Sequence, residues 1–234
     1  MLSFKQRSYQ SELLDRNDIP FEEIRRNMYE LDVINKYLGG HKITLDGLKQ
    51  LLCKESKDRQ IRIVEIGCGG GDNLRVIKEW GKKNGLNFSL AGVDINPECI
   101  AYAKSRRSNF DIEFICSDYK QVLFDVRPQI IFTSLFCHHF KDEELVFMIS
   151  WLKSNTSTGF FINDLHRHFL AYHSIRFLTK AFSKSRLVKN DAPLSVKRGF
   201  IKSDWIDLFK KAGVSNFHCQ WKWAFRWLIT YKHE

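Results

Sequence analysis

The stretch VEIGCGGGD, residues 64–72, sets four glycines in five positions directly behind an apolar run. Glycine has no Cβ, so a backbone carrying Gly67, Gly69 and Gly71 can turn tightly and admit a ligand at contact distance. Residues 61–66 (IRIVEI) read as a strand and residues 72–84 as the following helix, so a ligand in the loop would meet a helix N-terminus. A dinucleotide-binding loop needs G-x-G-x-x-G, with its third glycine one place later. The spacing here is G-x-G-x-G, and an acid, Glu65, precedes it. A carboxylate at a strand tip suits a cationic group better than a pyrophosphate.

Outward from this loop the pattern alternates. Strands are expected over residues 87–94, 111–116, 129–135 and 158–163. Helices are expected from Pro97 to about Arg107 and over residues 142–153. Such alternation implies parallel βαβ units with right-handed crossovers. Before the first strand, Phe21, Ile24, Met28, Leu31, Ile34 and Leu38 recur at helical spacing, and Gly39-Gly40 stops that helix. A second helix is expected over residues 43–54. Beyond residue 164 the chain changes character. Residues 165–200 form a basic, partly helical stretch, and residues 203–212 a helix opened by Ser203 and closed by Gly213. Residues 214–219 and 221–229 read as a closing strand pair. Trp221, Trp223, Phe225 and Trp227 alternate there with Lys222, Ala224, Arg226 and Leu228.

The 234 residues suffice for one domain with a sizeable core. They divide into an N-terminal helical cap (1–56), a ligand-binding core (60–164), an insertion (165–200) and a C-terminal helix with its strand pair (201–234). Apolar residues make up 44% and charged ones 27%, an ordinary globular balance. No apolar run approaches the roughly 20 residues that span a bilayer, and the N-terminus lacks a signal-peptide core. Cys53, Cys68, Cys99, Cys116, Cys137 and Cys219 are scattered without a C-x-x-C pair. That pattern fits reduced thiols in a cytoplasmic protein and no metal site. Residues 165–234 carry 14 Lys+Arg against 4 Asp+Glu, so the whole net charge of +10 lies in the last third. Nucleic acid, an anionic membrane surface or an acidic substrate would each suit it, as would a plain solvated face.

The strand tips narrow the ligand. Asp94 ends the second strand, where a carboxylate can accept from both hydroxyls of a ribose; capping the next helix is its other role, though Asn96-Pro97 serves that better. Asp118 follows the third strand and can accept from an adenine amino group, with Tyr119 beside the ring, or can simply be solvated. S-adenosylmethionine carries an ammonium and a sulfonium but no phosphate, and so fits this set.

These residues carry a resemblance. VEIGCGGG, GVDINPE, CSDY and SLFCHHF resemble the successive motifs of class I S-adenosylmethionine-dependent methyltransferases over about residues 60–164. The flanks ELDVINKYLGG, NDLHRH and PLSVKRGF resemble a bacterial small-molecule subgroup associated with polyketide, aryl or isoprenoid-quinone pathways. The resemblance implies a Rossmann-like α/β sheet of seven strands, order 3-2-1-4-5-7-6, with strand seven antiparallel. S-adenosylmethionine is implied as cofactor and S-adenosylhomocysteine as product. Glu65, Gly67, Cys68, Gly69, Gly71, Asp94, Ile95, Asp118, Tyr119, Ser134 and Leu135 are the expected donor-binding residues. Gly70 stands where relatives usually carry threonine or another polar residue.

Ligands in open α/β sheets sit at the carboxyl ends of the strands. The fourth strand there leads into His138 and His139, and the fifth into Asp164, His166 and Arg167. Methyl transfer mostly needs alignment and exclusion of water. A phenolic acceptor also benefits from a base, and a histidine near neutrality serves. His139 and His166, then His138, are the candidates, with pocket shaping as the alternative. Asp164 would orient a histidine, and Arg167 would hold an acidic substrate group or be solvated. The chain lacks an Asn/Asp-Pro-Pro-Tyr run, and Cys137 has no preceding proline. It also lacks a recognisable RNA-binding module, so a small-molecule acceptor is favoured over nucleic acid. An RNA methyltransferase and a non-catalytic donor-binding scaffold remain the alternatives. Phe169, Leu170, His173, Phe177, Leu178, Ala181 and Phe182 fall on one helical side. They are expected to close a lid over the substrate, and the same basic helix suits docking on a membrane.

Overall fold

The computed structural model describes residues 4–16, 18–52 and 59–234. Cys53 and the last two residues of the helix expected over 43–54 lie outside the described residues.

The seven strands are β1 (Ile61–Ile66), β2 (Phe88–Asp94), β3 (Ile112–Cys116), β4 (Ile130–Ser134), β5 (Gly159–Leu165), β6 (Phe217–Lys222) and β7 (Arg226–Lys232). Their order is β3-β2-β1-β4-β5-β7-β6, as the motifs imply. The first five run parallel, and β7 pairs antiparallel with both β5 and β6. Apolar strands such as IRIVEI and QIIFTSL suit this sheet because both of its faces are covered.

On one face lie α2 (Gly40–Leu51), α3 (Asp72–Lys83) and α4 (Pro97–Ser105). Their Leu48, Leu51, Leu74, Ile77 and Ile100 are buried with Ile63, Phe132 and Phe161. On the other lie α5 (Asp142–Asn155) and α8 (Lys202–Lys211), whose Leu145, Met148, Trp205 and Phe209 are buried with Val64, Ile131 and Phe160. Three further helices stand over the carboxyl edge of the sheet, where the site lies: α1 (Phe21–Tyr37), α6 (Phe169–Phe182) and α7 (Arg186–Arg198).

Four local expectations shift. Gly39 takes φ +80° and both ends α1 and caps α2, so the second helix starts at Gly40 rather than residue 43. Ser203 is not the cap of α8; the helix starts one residue earlier, and Asp204 accepts from the Ile201 amide at 2.9 Å. The run expected as one strand over 221–229 contains the hairpin turn. β6 ends at Lys222, β7 starts at Arg226, and Phe225 supplies the reversal at φ +56° without glycine or proline to announce it. Finally, the apolar side expected to line the lid is largely turned outward. Phe169, Leu170, Phe177 and Phe182 are exposed, while Ala171 and Thr179 are buried on the opposite side.

Candidate functional site

The carboxyl edge of the sheet opens into one cavity of about 940 Å³. Its floor is the glycine loop with Glu65 and Asp94. One wall is the segment after β4, and the roof is the inner sides of α1, α6 and α7 with the β6–β7 hairpin tip. Gly67, Gly69 and Gly71 all take positive φ (+71°, +48° and +72°), a region in which a side chain is strained. Gly70 does not, and its glycine has a different cause. A Cβ there would lie 2.8 Å from the Tyr102 ring, which fills the place a polar side chain would use. The two non-glycine residues of the wall with positive φ, Leu135 (+54°) and Phe225 (+56°), flank the cavity at the β4 tip and the hairpin tip. Such backbone persists only where surrounding structure holds it, and it collects at functional sites.

Glu65 is buried at the end of β1. Its Oε1 accepts from Asn73 Nδ2 at 2.8 Å, and its Oε2 has no partner. Burial first, then the charges of Asp72 and Asp94, push this carboxyl well above the usual range. Asp94 receives the Gly69 amide on one oxygen and the Asn96 amide on the other, both at 2.9 Å. It therefore braces the loop itself, and Asn96 is the residue that caps α4, accepting from the Glu98 and Cys99 amides. Burial raises the Asp94 carboxyl against the pull of these bonds.

Asp164 proves to lie inside β5 and not beyond it. It receives His138 Nδ1 on one oxygen at 2.7 Å and the Cys137 amide on the other at 2.8 Å. Burial works to raise its carboxyl, but the His138 charge and hydrogen bonds outweigh it and hold Asp164 below the ordinary value. His138 is buried, lines the cavity, and has Glu12 3.7 Å from its Nε2. His139, ring centroid 4.4 Å away, is bound through Nδ1 to Asp15 at 3.0 Å. Burial lowers its pKa, but the Asp15 hydrogen bond and the Glu12 charge reverse this and raise it.

Of the sequence-selected residues, Glu65, Gly67, Cys68, Gly69, Asp94, Ile95, Ser134, Leu135, His138 and His139 stand on the cavity wall. Gly71, Asp118, Tyr119 and His166 do not. Gly71 caps α3 against Phe114. Asp118 closes a turn by accepting from the Lys120 amide, and Tyr119 packs in the core 5.2 Å from the Trp151 ring. His166 accepts from Trp221 Nε1 at 3.2 Å; burial, with His168 and Arg167 beside it, pushes it down to about 4. Arg167 is neither solvated nor open to a ligand. It is buried and donates to the carbonyls of Phe4 and Gly199 and to Asp204.

Two polar groups were missed. Residues 7–16 lie over the His138–His139 turn, held by buried Arg198, which donates to the carbonyls of Gln10, His138 and His139. Beneath the glycine loop, His41 Nδ1 meets Asn73 at 3.1 Å and His41 Nε2 meets Asp32 at 3.0 Å. Asn35 joins Asp72 to Arg226 Nη2. No local sequence signal marks these pairings, which span up to 191 positions. Two sets, Glu12–His138–His139 and Asp32–His41–Asp72, stand close enough to share a cation. Each already has a guanidinium beside it, Arg198 at 3.8 Å from Glu12 and Arg75 at 2.6 Å from Asp32.

Residues 63–159 match the family model described as a methyltransferase domain. The match covers the strands from β1 to β4 and the loops that floor the cavity. Solved structures extend the likeness in fold to nearly the whole chain. Magnesium protoporphyrin IX methyltransferase (ChlM) from Synechocystis PCC 6803, with bound S-adenosylmethionine, is 13% identical. The alignment covers 93% of each chain at a TM-score of 0.60. Human N-acetylserotonin methyltransferase, also with S-adenosylmethionine, is 16% identical at 0.61 and covers 91% of this chain but 56% of its own. The plantazolicin methyltransferase BpumL with S-adenosylhomocysteine is 19% identical at 0.53, covering 84% and 82%. No curated protein sequence matches significantly.

The residues of the cavity wall fit S-adenosylmethionine. Among the described residues six buried side-chain polar atoms have no partner. Two belong to charged cavity-wall residues, and they are opposite in sign: Glu65 Oε2 and Arg226 Nη1. Burial lowers the Arg226 pKa to about 10. An orphaned carboxylate oxygen and an orphaned guanidinium nitrogen complement the ammonium and carboxylate of an amino acid.

Proposed function

We propose that this chain binds S-adenosylmethionine and transfers its methyl group to an oxygen or carbon of a small apolar acceptor, aromatic or phenolic in kind. The observation that carries the reading is the single cavity that joins Glu65, Gly67, Gly69 and Asp94 to His138 and to a large apolar roof. The donor supplies an activated methyl on a sulfonium. The protein's part is to seat both partners and keep water out. Glu65 would hold the ammonium, Arg226 the carboxylate, and the free lone pairs of Asp94 the ribose.

Roof residues Ile24, Leu31, Ile34, Ile175, Leu178 and Val188 offer the acceptor an apolar bed. His138 is the base this geometry favours. Asp164 fixes Nδ1 as the donor nitrogen, which leaves Nε2 free to take a hydroxyl proton while the ionised Asp164 stabilises the resulting imidazolium. His139 is already paired with Asp15, and His166 lies off the wall, so neither suits the role as well.

The test pairs calorimetry of S-adenosylhomocysteine binding with mass-spectrometric detection of methyl transfer to a panel of alkylated phenols and aryl ketones. Binding plus transfer to panel members is expected. Absence of binding, or methylation of RNA with none of the panel, overturns the reading.

A further inference from the structure

We propose that the outer side of α6, continued by the tip of the β6–β7 hairpin, is a docking face for an anionic membrane surface. The side chains concerned are large, apolar and uncovered. Phe177 is 70% exposed, Phe182 79%, and Trp223, on the hairpin, 70%, with Phe169 and Leu170 each half exposed. The helix start and the hairpin tip are one surface. His168, the cap of α6, stacks on Phe225 with ring centroids 5.3 Å apart, and Phe225 neighbours both Trp221 and Trp223.

Charge decides what covers this face. Residues 169–190 hold Arg176, Lys180, Lys184, Arg186 and Lys189 and not one acid. Of these, Arg186 is matched by Glu23 of α1. Exposed Phe and Leu set among lysines, with Trp at one end, is the composition of an interfacial helix. Its apolar side chains enter the headgroup boundary and its cations meet anionic lipid. A soluble protein partner would need no such one-sided charge, and an RNA site would leave Leu170 and the Phe182 end without a role. The inner side of the same helix, Ala171, Ser174, Ile175 and Leu178, walls the cavity. A docked α6 therefore stands between the bilayer and the acceptor bed. An apolar acceptor would reach that bed from the lipid. This last clause rests on the proposed function; the docking itself does not.

The experiment is co-sedimentation of the full chain with vesicles of phosphatidylcholine alone and of phosphatidylcholine mixed with phosphatidylglycerol. Preferential binding to the mixed vesicles is expected, weakening with salt. Each surface lysine or arginine contributes about a fivefold gain in partitioning. Lys180→Glu with Lys184→Glu should therefore reduce binding by about twenty-fivefold or more, and Phe177→Ser with Phe182→Ser by about tenfold or more. None of these four residues lines the cavity, so S-adenosylhomocysteine binding by the same variants reports whether they fold and whether the donor reading holds. Equal sedimentation with both vesicle types, variants that bind like the parent, or retention by RNA but not by vesicles would each overturn the docking face.

Discussion

His138 donates through Nδ1 to Asp164 at 2.7 Å, both side chains buried, across 26 positions of chain. The pairing joins the turn after β4 to the end of β5, and it gives a single imidazole on the cavity wall a fixed tautomer. If His138 is the base, His138→Ala should lower turnover by about a hundredfold to ten-thousandfold. Donor affinity should stay within about twofold, since the ring touches none of the proposed donor contacts. Asp164→Asn keeps the shape and removes the charge that stabilises the imidazolium, so turnover should fall while S-adenosylhomocysteine still binds. Full activity in His138→Ala, measured at saturating acceptor, would leave proximity as the sole contribution of the site.

Glu65 offers a test that needs no acceptor. Its carboxyl is held well above the usual range in the free protein because burial, Asp72 and Asp94 all oppose the charge. A ligand ammonium reverses this, so binding releases a proton. Affinity for S-adenosylhomocysteine should then rise with pH, by about tenfold per unit below the raised pKa and level off above it. Glu65→Gln should bind about tenfold to a hundredfold more weakly, the worth of one charge-assisted hydrogen bond, and lose the pH slope. Calorimetry in two buffers of different ionisation enthalpy checks the proton count directly. Identical heats in the two buffers would argue against the ammonium at Glu65.

Where the sequence was legible, the physics was local. IRIVEI, NFSLAGVD and the glycine loop announce strand, strand and turn through periodicity and missing Cβ atoms, and the sheet order follows from motif succession. Where it was not, the deciding contact was remote. His166 directly follows a strand whose tip faces the cavity, yet Trp221 draws it to the hairpin. Arg167 is tied to Phe4, and Arg198 to Gln10, by bonds spanning 163 and 188 positions. On α6 the apolar periodicity was correctly read as helix. Assigning its inner side mostly failed because Ala171, Ser174 and Ile175 face the cavity, and of the large residues expected there Leu178 does so while Phe169, Leu170, Phe177 and Phe182 are exposed.

Gly70 and Tyr102 form a matched pair. A Cβ at position 70 would meet the Tyr102 ring at 2.8 Å, and that ring is held by Arg106 on its hydroxyl at 3.3 Å. Gly70→Thr should therefore destabilise the chain by about 1–3 kcal/mol, the usual cost of overpacking. Tyr102→Ala opens the space, so the double variant should lose less than the sum of the two singles. Denaturant melts of all four proteins give the coupling. Additive losses would show that the ring is not what keeps position 70 a glycine.

Asp15 and His139 hold residues 7–16 over the cavity wall, and their shifts set a pH window for that contact. His139 is raised above its ordinary 6.5 by Asp15 and Glu12, which outweigh its burial. Its contribution is therefore complete below about pH 6.5 and fades as the pH climbs through the raised value. Asp15 is lowered from its ordinary 3.8, because the His139 hydrogen bond and charge outweigh burial, with the Glu12 amide and Arg198 adding to the pull. Its contribution is complete above that ordinary value and fades as the pH falls through the lowered one. The segment should be held most firmly between about pH 4 and 6.5 and loosen on the alkaline side as the pH climbs through the raised His139 value. Hydrogen exchange of the Leu13 and Leu14 amides, corrected for intrinsic rates, reads this locally, since both donate to buried Asp191. Asp15→Asn removes the anion and should abolish the alkaline step while leaving the Asp191 contacts in place. Protection that stays flat from pH 5 to about pH 9 in the parent protein would show that the Asp191 and Arg198 contacts keep the segment closed without the Asp15–His139 pair.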